Sequence, residues 1–130
     1  MFLGTFSPSL ASTGQVALPT KLRSALGSDR AIITTGFDKC VFGFSLDEWQ
    51  KLGAIELIKP VSTSEGREVR RRMYSEAVEV DLDDQGRFVI PTNLRKYAGI
   101  TDKIAVIGAG DHFEIWDKDA WDKLSHSSSS

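Results

Sequence analysis

Cysteine and histidine are scarce in this chain, with one Cys and two His among 130 residues. Cys40 alone cannot form an internal disulfide, and no Cys or His cluster has the spacing of a zinc site. Long apolar runs are missing as well, and none approaches the ~18–20 residues of a membrane-spanning helix. The start, Met1-Phe-Leu-Gly-Thr-Phe6, has neither the charged beginning nor the apolar core of a signal peptide. Together these absences give the expectation of a cytoplasmic protein. An excess of positive charge is also lacking. Sixteen Lys and Arg against 18 Asp and Glu leave a net charge of −2, so there is no global basic field to attract nucleic acid. Any binding to DNA must come from a local basic surface.

What the chain does have is a repeat. Offset by 72 positions, Gly14-Gln-Val-Ala-Leu-Pro19-Thr-Lys-Leu-Arg23 falls on Gly86-Arg-Phe-Val-Ile-Pro91-Thr-Asn-Leu-Arg95, and the match continues without a gap to Leu52 and Leu124. Two copies are too few for a solenoid. They read as a duplicated supersecondary unit about a pseudo-twofold axis. Each half is at the margin for folding alone, so the halves are expected to share a core.

Both copies have the same grammar. Val16-Ala-Leu18 and Phe88-Val-Ile90 read as strands, and Pro19 or Pro91 then opens a short helix that Gly27 or Gly99 ends. A second strand follows, Ala31–Thr35 or Lys103–Ile107, and a turn leads into Cys40–Phe44 or His112–Trp116 to close a hairpin. Ser45 and Asp117 cap a second helix, on which Trp49 and Trp121 are packing anchors. The expected class is α+β, mainly β, with short helices and a connecting helix. The expected organisation is a first repeat over 5–52, a helical connector over 53–76, a second repeat over 77–124 and an unstructured serine tail over 125–130. The connector helix begins near Ser62-Thr-Ser-Glu65, with Val69, Met73 and Ala77 on one side.

Catalysis finds little support. Cys40 and His112 hold equivalent places in the two copies and need not meet. Gly108-Ala-Gly110 is too short for a dinucleotide loop, so no cofactor is expected. Asp81, Asp83 and Asp84 invite a hard cation or an acid–base pair, but an acidic, solvated turn is the simpler account. Asp83-Asp-Gln-Gly86-Arg87 is richer. Gly86 supplies the turn, and Asp83 stands four residues before Arg87. A carboxylate that fixes a guanidinium fork suits it to guanine O6 and N7 or to a phosphate, and equally makes a plain loop-stabilising ion pair. Arg23 and Arg95 repeat at one place on the short helix, where a partner acid would make them structural. Arg67, Arg70, Arg71 and Arg72 are the densest basic run, with Glu65 and Glu68 in helical reach.

At these residues the chain resembles the MraZ family of transcriptional regulators, in the SpoVT/AbrB superfamily. The carriers are Met1-Phe-Leu-Gly4, Asp83-Asp-Gln-Gly-Arg-Phe-Val-Ile-Pro91, Leu94-Arg-Lys-Tyr-Ala-Gly99 and Glu114-Ile-Trp-Asp117, with the duplicated Gly-x-x-x-x-Pro-x-x-Leu-Arg pattern. The resemblance covers the chain up to the serine tail. It implies two intertwined swapped-hairpin β units forming an AbrB-like barrel, and a ring of subunits. It further implies nucleoid-associated binding to short direct repeats of double-stranded DNA upstream of division and cell-wall genes, usually as a repressor. The family's reading motif, Asp-x-x-x-Arg, falls on Asp83 and Arg87. In the first copy the equivalent positions are Ala11 and Gln15, so one motif is degenerate. Gln15 is left as an altered reader, and Lys21, Arg23, Asn93, Arg95 and Lys96 are secondary candidates for phosphate contact. Other readings are a protein-interaction ring without DNA binding, an AbrB-type antitoxin, and a metal-dependent enzyme on the Asp81–Asp84 turn.

Overall fold

A computed structural model describes the backbone of residues 1–129 and the side chains of residues 1–126. Among these residues are eight strands and five helices. The first copy supplies β1 (Thr5–Phe6), β2 (Gln15–Ala17), α1 (Thr20–Leu26), β3 (Arg30–Thr35), β4 (Val41–Phe44) and α2 (Leu46–Glu56). After α3 (Ser64–Tyr74), the second copy supplies β5 (Val78–Asp81), β6 (Arg87–Val89), α4 (Thr92–Ala98), β7 (Ile104–Gly108), β8 (Phe113–Asp117) and α5 (Lys118–Ser129).

Local chemistry sets most boundaries. Pro19 and Pro91 stand at the N-cap, one place earlier than expected, where a residue without an N–H leaves no donor unmet. Left-handed Gly27 and Gly99 end the same two helices. Ser45 Oγ accepts from the Glu48 N–H at 3.1 Å to start α2, and Asp117 Oδ2 accepts from Ala120 at 3.3 Å to start α5. Thr63 Oγ1 caps α3, on which Val69 and Met73 are buried, while Ala77 lies beyond the helix end. Helix α5 continues to Ser129, into the stretch read from sequence as an unstructured tail, and Ser130 lies outside the described residues.

Strand pairing interleaves the copies. The large sheet has the order β1-β7-β8-β4-β3-β5, every pairing antiparallel, and β2 and β6 form a separate ribbon. β1 leaves its own copy to pair with β7, β5 likewise pairs with β3, and β2 finds β6. The sheet ends at β1 and β5 instead of closing into a barrel. Two cross-copy pairs join residues that the 72-residue offset makes equivalent, Val16↔Phe88 in the ribbon and Phe42↔Glu114 in the sheet. The pseudo-twofold axis therefore passes through both. The symmetry stops at the flanking strands. Ser9 bridges Lys103, but the equivalent Asp81 pairs with Arg30, one residue out of register with Ala31.

The sheet separates two apolar clusters. On one face Ala31, Ile33, Val41, Val106, Phe113 and Ile115 meet Val16 and Phe88 of the ribbon, with Leu22 and Leu94 of α1 and α4. On the other, Cys40, Ala105, Ile107 and Trp116 pack with Phe42 and Trp121. The tryptophan anchors hold as expected. Trp49 lies 5.2 Å from the Phe44 ring, and Trp121 lies 5.7 Å from Trp116.

At the sheet seam, His112 Nδ1 is 2.7 Å from Asp111 and Nε2 is 2.8 Å from Glu114. A neutral imidazole carries one N–H, so serving both carboxylates requires the imidazolium. The ring also stacks on Phe44 and leans on Phe42, which come from the other copy. Burial alone would lower the His112 pKa, but the bonds to Glu114 and Asp111 outweigh it and raise it above the usual 6.5. Burial pushes Glu114 upward, and the bonds from His112 and Trp116 Nε1 outweigh that, holding it below 4.5.

Two predictions follow from this packing. A Cβ at Gly43 would overlap the ring of Phe113, which is fully buried against Phe2, so Gly43→Ala should lower unfolding stability by about 1–3 kcal/mol in urea denaturation. The raised His112 pKa contributes stability that is complete below 6.5 and is lost as pH rises through the folded-state value. Melting temperature should therefore fall as pH rises above 6.5, and His112→Gln should flatten that limb. An unchanged slope in the variant would remove His112 as its origin.

Candidate nucleic-acid interface

Alternation fixes what the ribbon shows to solvent. Val16 and Phe88 point into the core, so their neighbours Gln15, Ala17, Arg87 and Val89 share the outer face. Register places Gln15 opposite Val89 and Ala17 opposite Arg87. Gln15 and Arg87 are thus diagonal, two residues apart or about 7 Å along the strands. A two-stranded ribbon of this kind is narrow enough to enter a DNA major groove.

The loop before β6 holds Arg87 from both ends. Asp83 Oδ2 accepts from Arg87 Nε at 2.7 Å, while Oδ1 accepts from the backbone N–H groups of Gln85 and Arg87, each at 2.9 Å. The Arg87 backbone N–H, then its guanidinium, hold the Asp83 carboxyl below the usual carboxylate range. One carboxylate thus shapes the turn and aims the guanidinium. Using Nε for Asp83 leaves the terminal NH2 groups of Arg87 toward solvent, on a side chain that is 43% exposed. That is the geometry a bidentate contact to guanine or phosphate requires.

The first-copy loop has the same backbone without that side chain. Ala11 N–H donates to Gln15 O at 2.9 Å and Gly14 N–H to Ala11 O at 2.8 Å, matching Asp83 to Arg87 at 3.0 Å and Gly86 to Asp83 at 2.9 Å. Gly14 at φ +88° and Gly86 at φ +76° supply the left-handed turn. The loop conformation therefore does not depend on the Asp–Arg pair. Gln15, half-buried, stands where an arginine would.

Arg23 and Arg95 do something that sequence spacing did not reveal. Each reaches across to the glycine turn of the other copy. A Cβ on Gly86 would meet Arg23 Cδ at 2.9 Å, and one on Gly14 would meet Arg95 Cζ at 2.7 Å. Arg23 donates to the Asp83 carbonyl at 3.3 Å, and Arg95 donates to Thr92 Oγ1 at 3.0 Å. Loop backbone and a hydroxyl stand where the competing, structural reading would have put a neighbouring acid. The signal was available in the joint repetition of Gly and Arg at a fixed spacing, but only strand exchange shows that they meet between copies.

Lys21 and Lys96 are exposed on α1 and α4. Asn93 is engaged elsewhere, donating to Glu76 at 2.6 Å. Two connector arginines brace their own segment, and a third reaches out of it. Arg70 bonds the Lys59 and Gly66 carbonyls, Arg67 bonds Val61 O, and Arg72 lies over the Phe37 ring. Asp81 pairs with Arg30 at 3.3 Å, apart from the Asp83–Arg87 pair, and no acid or His/Cys group among the described residues forms a metal-holding cluster. Cys40 is buried, and burial first, then Glu114 and Asp38, pushes its thiol up to about 12, a poor nucleophile at neutral pH. No helix among the described residues is long and apolar enough to cross a membrane.

Comparison with solved structures finds similarity to the solution structure of PHS018 from Pyrococcus horikoshii. The likeness covers 88% of each chain at 14% identity, with a TM-score of 0.33. A family model described as "MraZ protein, putative antitoxin-like" matches residues 1–71 and again 73–130, one match for each copy, with the break inside α3. With both halves matched and almost every residue covered, this chain belongs to the MraZ family.

Proposed function

We propose that this protein is a sequence-specific DNA-binding transcriptional regulator, and that Arg87, oriented by Asp83, is its principal reading residue. The observation that carries this reading is the guanidinium held by its Nε at the edge of an exposed two-stranded ribbon. Family membership supports it. Gln15 is the weaker counterpart, able to make a bidentate contact to adenine but bringing no charge. Lys21, Lys96, Arg23 and Arg95 flank the ribbon as phosphate contacts, and Asn93 joins them when released from Glu76. The Asp83 carboxyl, held below the usual carboxylate range, stays charged for its pair with Arg87 to a lower pH than an ordinary carboxylate.

In this reading the exchanged strands form the swapped-hairpin unit of the superfamily. Copies assemble into a ring on short direct repeats near a promoter, as a repressor of division and cell-wall genes in the nucleoid. Several weak ribbons on one assembly gain affinity through effective concentration, which suits repeated sites. Ile55, Ile58 and Val61, exposed together at and beyond the end of α2, support self-association. The rival reading, an interaction ring without DNA binding, is favoured by Ala11 and Gln15 in place of the first Asp and Arg and by the net charge of −2.

Fluorescence anisotropy with the duplex upstream of this protein's own gene tests both. Wild type should bind specifically, and Arg87→Ala should weaken binding by about 1–3 kcal/mol, with Arg87→Lys failing to restore it. Absence of specific binding at low salt would leave the interaction ring standing. Because the first loop already has the right backbone, Ala11→Asp with Gln15→Arg should tighten binding and steepen the salt dependence by roughly 0.9 per added phosphate contact. A double variant that binds no better would exclude the first loop from the interface.

A further inference from the structure

On the face of the sheet away from the ribbon lies an open groove of about 770 Å³, within the range of small-molecule sites. Phe42 and Phe44 of β4 and Trp49 of α2 form its aromatic wall. On its floor Thr34 is 4% exposed, and its Oγ1 has no hydrogen-bond partner. An unmet buried hydroxyl costs stability unless something occupies the groove and bonds to it. The charge on the lining is unequal. Glu56, Glu76, Asp111 and Glu114 face only Arg72 and His112, leaving the groove net acidic even with His112 protonated. Both lining cations already use aromatic faces, Arg72 over Phe37 at 5.1 Å and His112 against Phe44 at 5.6 Å.

We propose that this groove binds a small organic cation, an amine with an aromatic or aliphatic body, whose ammonium donates to Thr34 Oγ1 while its apolar part lies against Phe42, Phe44 and Trp49. The Thr34 hydroxyl sets the depth of the charged end, and the carboxylates discriminate against anions of the same shape. The site lies across the sheet from the ribbon and uses neither Arg87 nor Asp83; it meets the proposed phosphate contacts only at Asn93, which lines the groove beside its acceptor Glu76.

Saturation-transfer difference NMR on the full chain, with 2-phenylethylamine as probe and phenylacetate as its anionic match, tests the assignment. The amine should give a saturable signal, with at least about a tenfold preference over phenylacetate, equivalent to ~1.4 kcal/mol. Thr34→Val should weaken the amine by about two- to tenfold while leaving the melting temperature unchanged or raised, because it also removes an unmet buried hydroxyl. Thr34→Ser, which keeps the hydroxyl, should retain affinity. Equal binding of acid and amine, no saturable binding because another copy covers the groove, or Thr34→Val binding like wild type would each overturn the proposal.

Discussion

Exchange of strands between the two copies is the constraint on which the rest of the molecule depends. A β-strand needs a neighbour for its N–H and C=O groups, and here β1, β2, β5 and β6 all find theirs in the other copy. Neither half can bury Val16 or Phe88 without the partner strand beside it. The ribbon is therefore anchored in the core beneath it, although it stands outside the main sheet. Rigidity is what a reading surface requires, since side chains must meet base edges without first being ordered. The arginine clasp follows from the same exchange. Arg23 and Arg95 can each lie on the opposite glycine turn only because the strands have already brought α1 to one loop and α4 to the other.

The two loops separate what the fold needs from what the site needs. Backbone bonds and a left-handed glycine are common to both, so Ala11 is tolerated where Asp83 stands in the second copy. The Asp83 carboxylate adds three bonds, none of which Ala11 can make in the first loop. Folding alone therefore does not require the Asp–Arg pair. Its presence in one loop and absence from the other is a difference in chemistry on a shared scaffold, and it makes the outer ribbon face asymmetric.

Much of this was legible in sequence because its causes are local. Pro19, Gly27, Ser45 and Asp117 act within a turn of themselves, and the helices begin and end at them. The spacing of Asp83 and Arg87 announced an ion pair for the same reason. β1 and β5 were invisible, being short and defined by partners about a hundred and about fifty residues away. Arg23 and Arg95 were harder to read, because each lies on the glycine turn of the other copy, Arg23 bonding loop backbone there and Arg95 bonding Thr92 of its own helix. His112 carried no motif. Its role depends on Phe42 and Phe44, placed beside it by the β4–β8 pairing.

The pseudo-twofold axis joins the two surfaces with chemical content and explains why both are uneven. It leaves the ribbon at Val16 and Phe88 and leaves the sheet at Phe42 and Glu114. Interior positions near the axis are constrained to be apolar in both copies, since each packs against its equivalent. Positions at the two ends face outward and are released from that requirement, so the copies can differ there at little cost to packing. One end holds Arg87 against Gln15. The other holds Glu114 against Phe42, with a charge network and an aromatic wall contributed by opposite copies, while beside it half-buried His112 answers buried Cys40. Beside the register slip at the flanking strands, two departures from symmetry thus lie where the axis reaches the outer faces. Those departures turn two like halves into one ribbon with a single oriented guanidinium and one groove with a charged side and an apolar side.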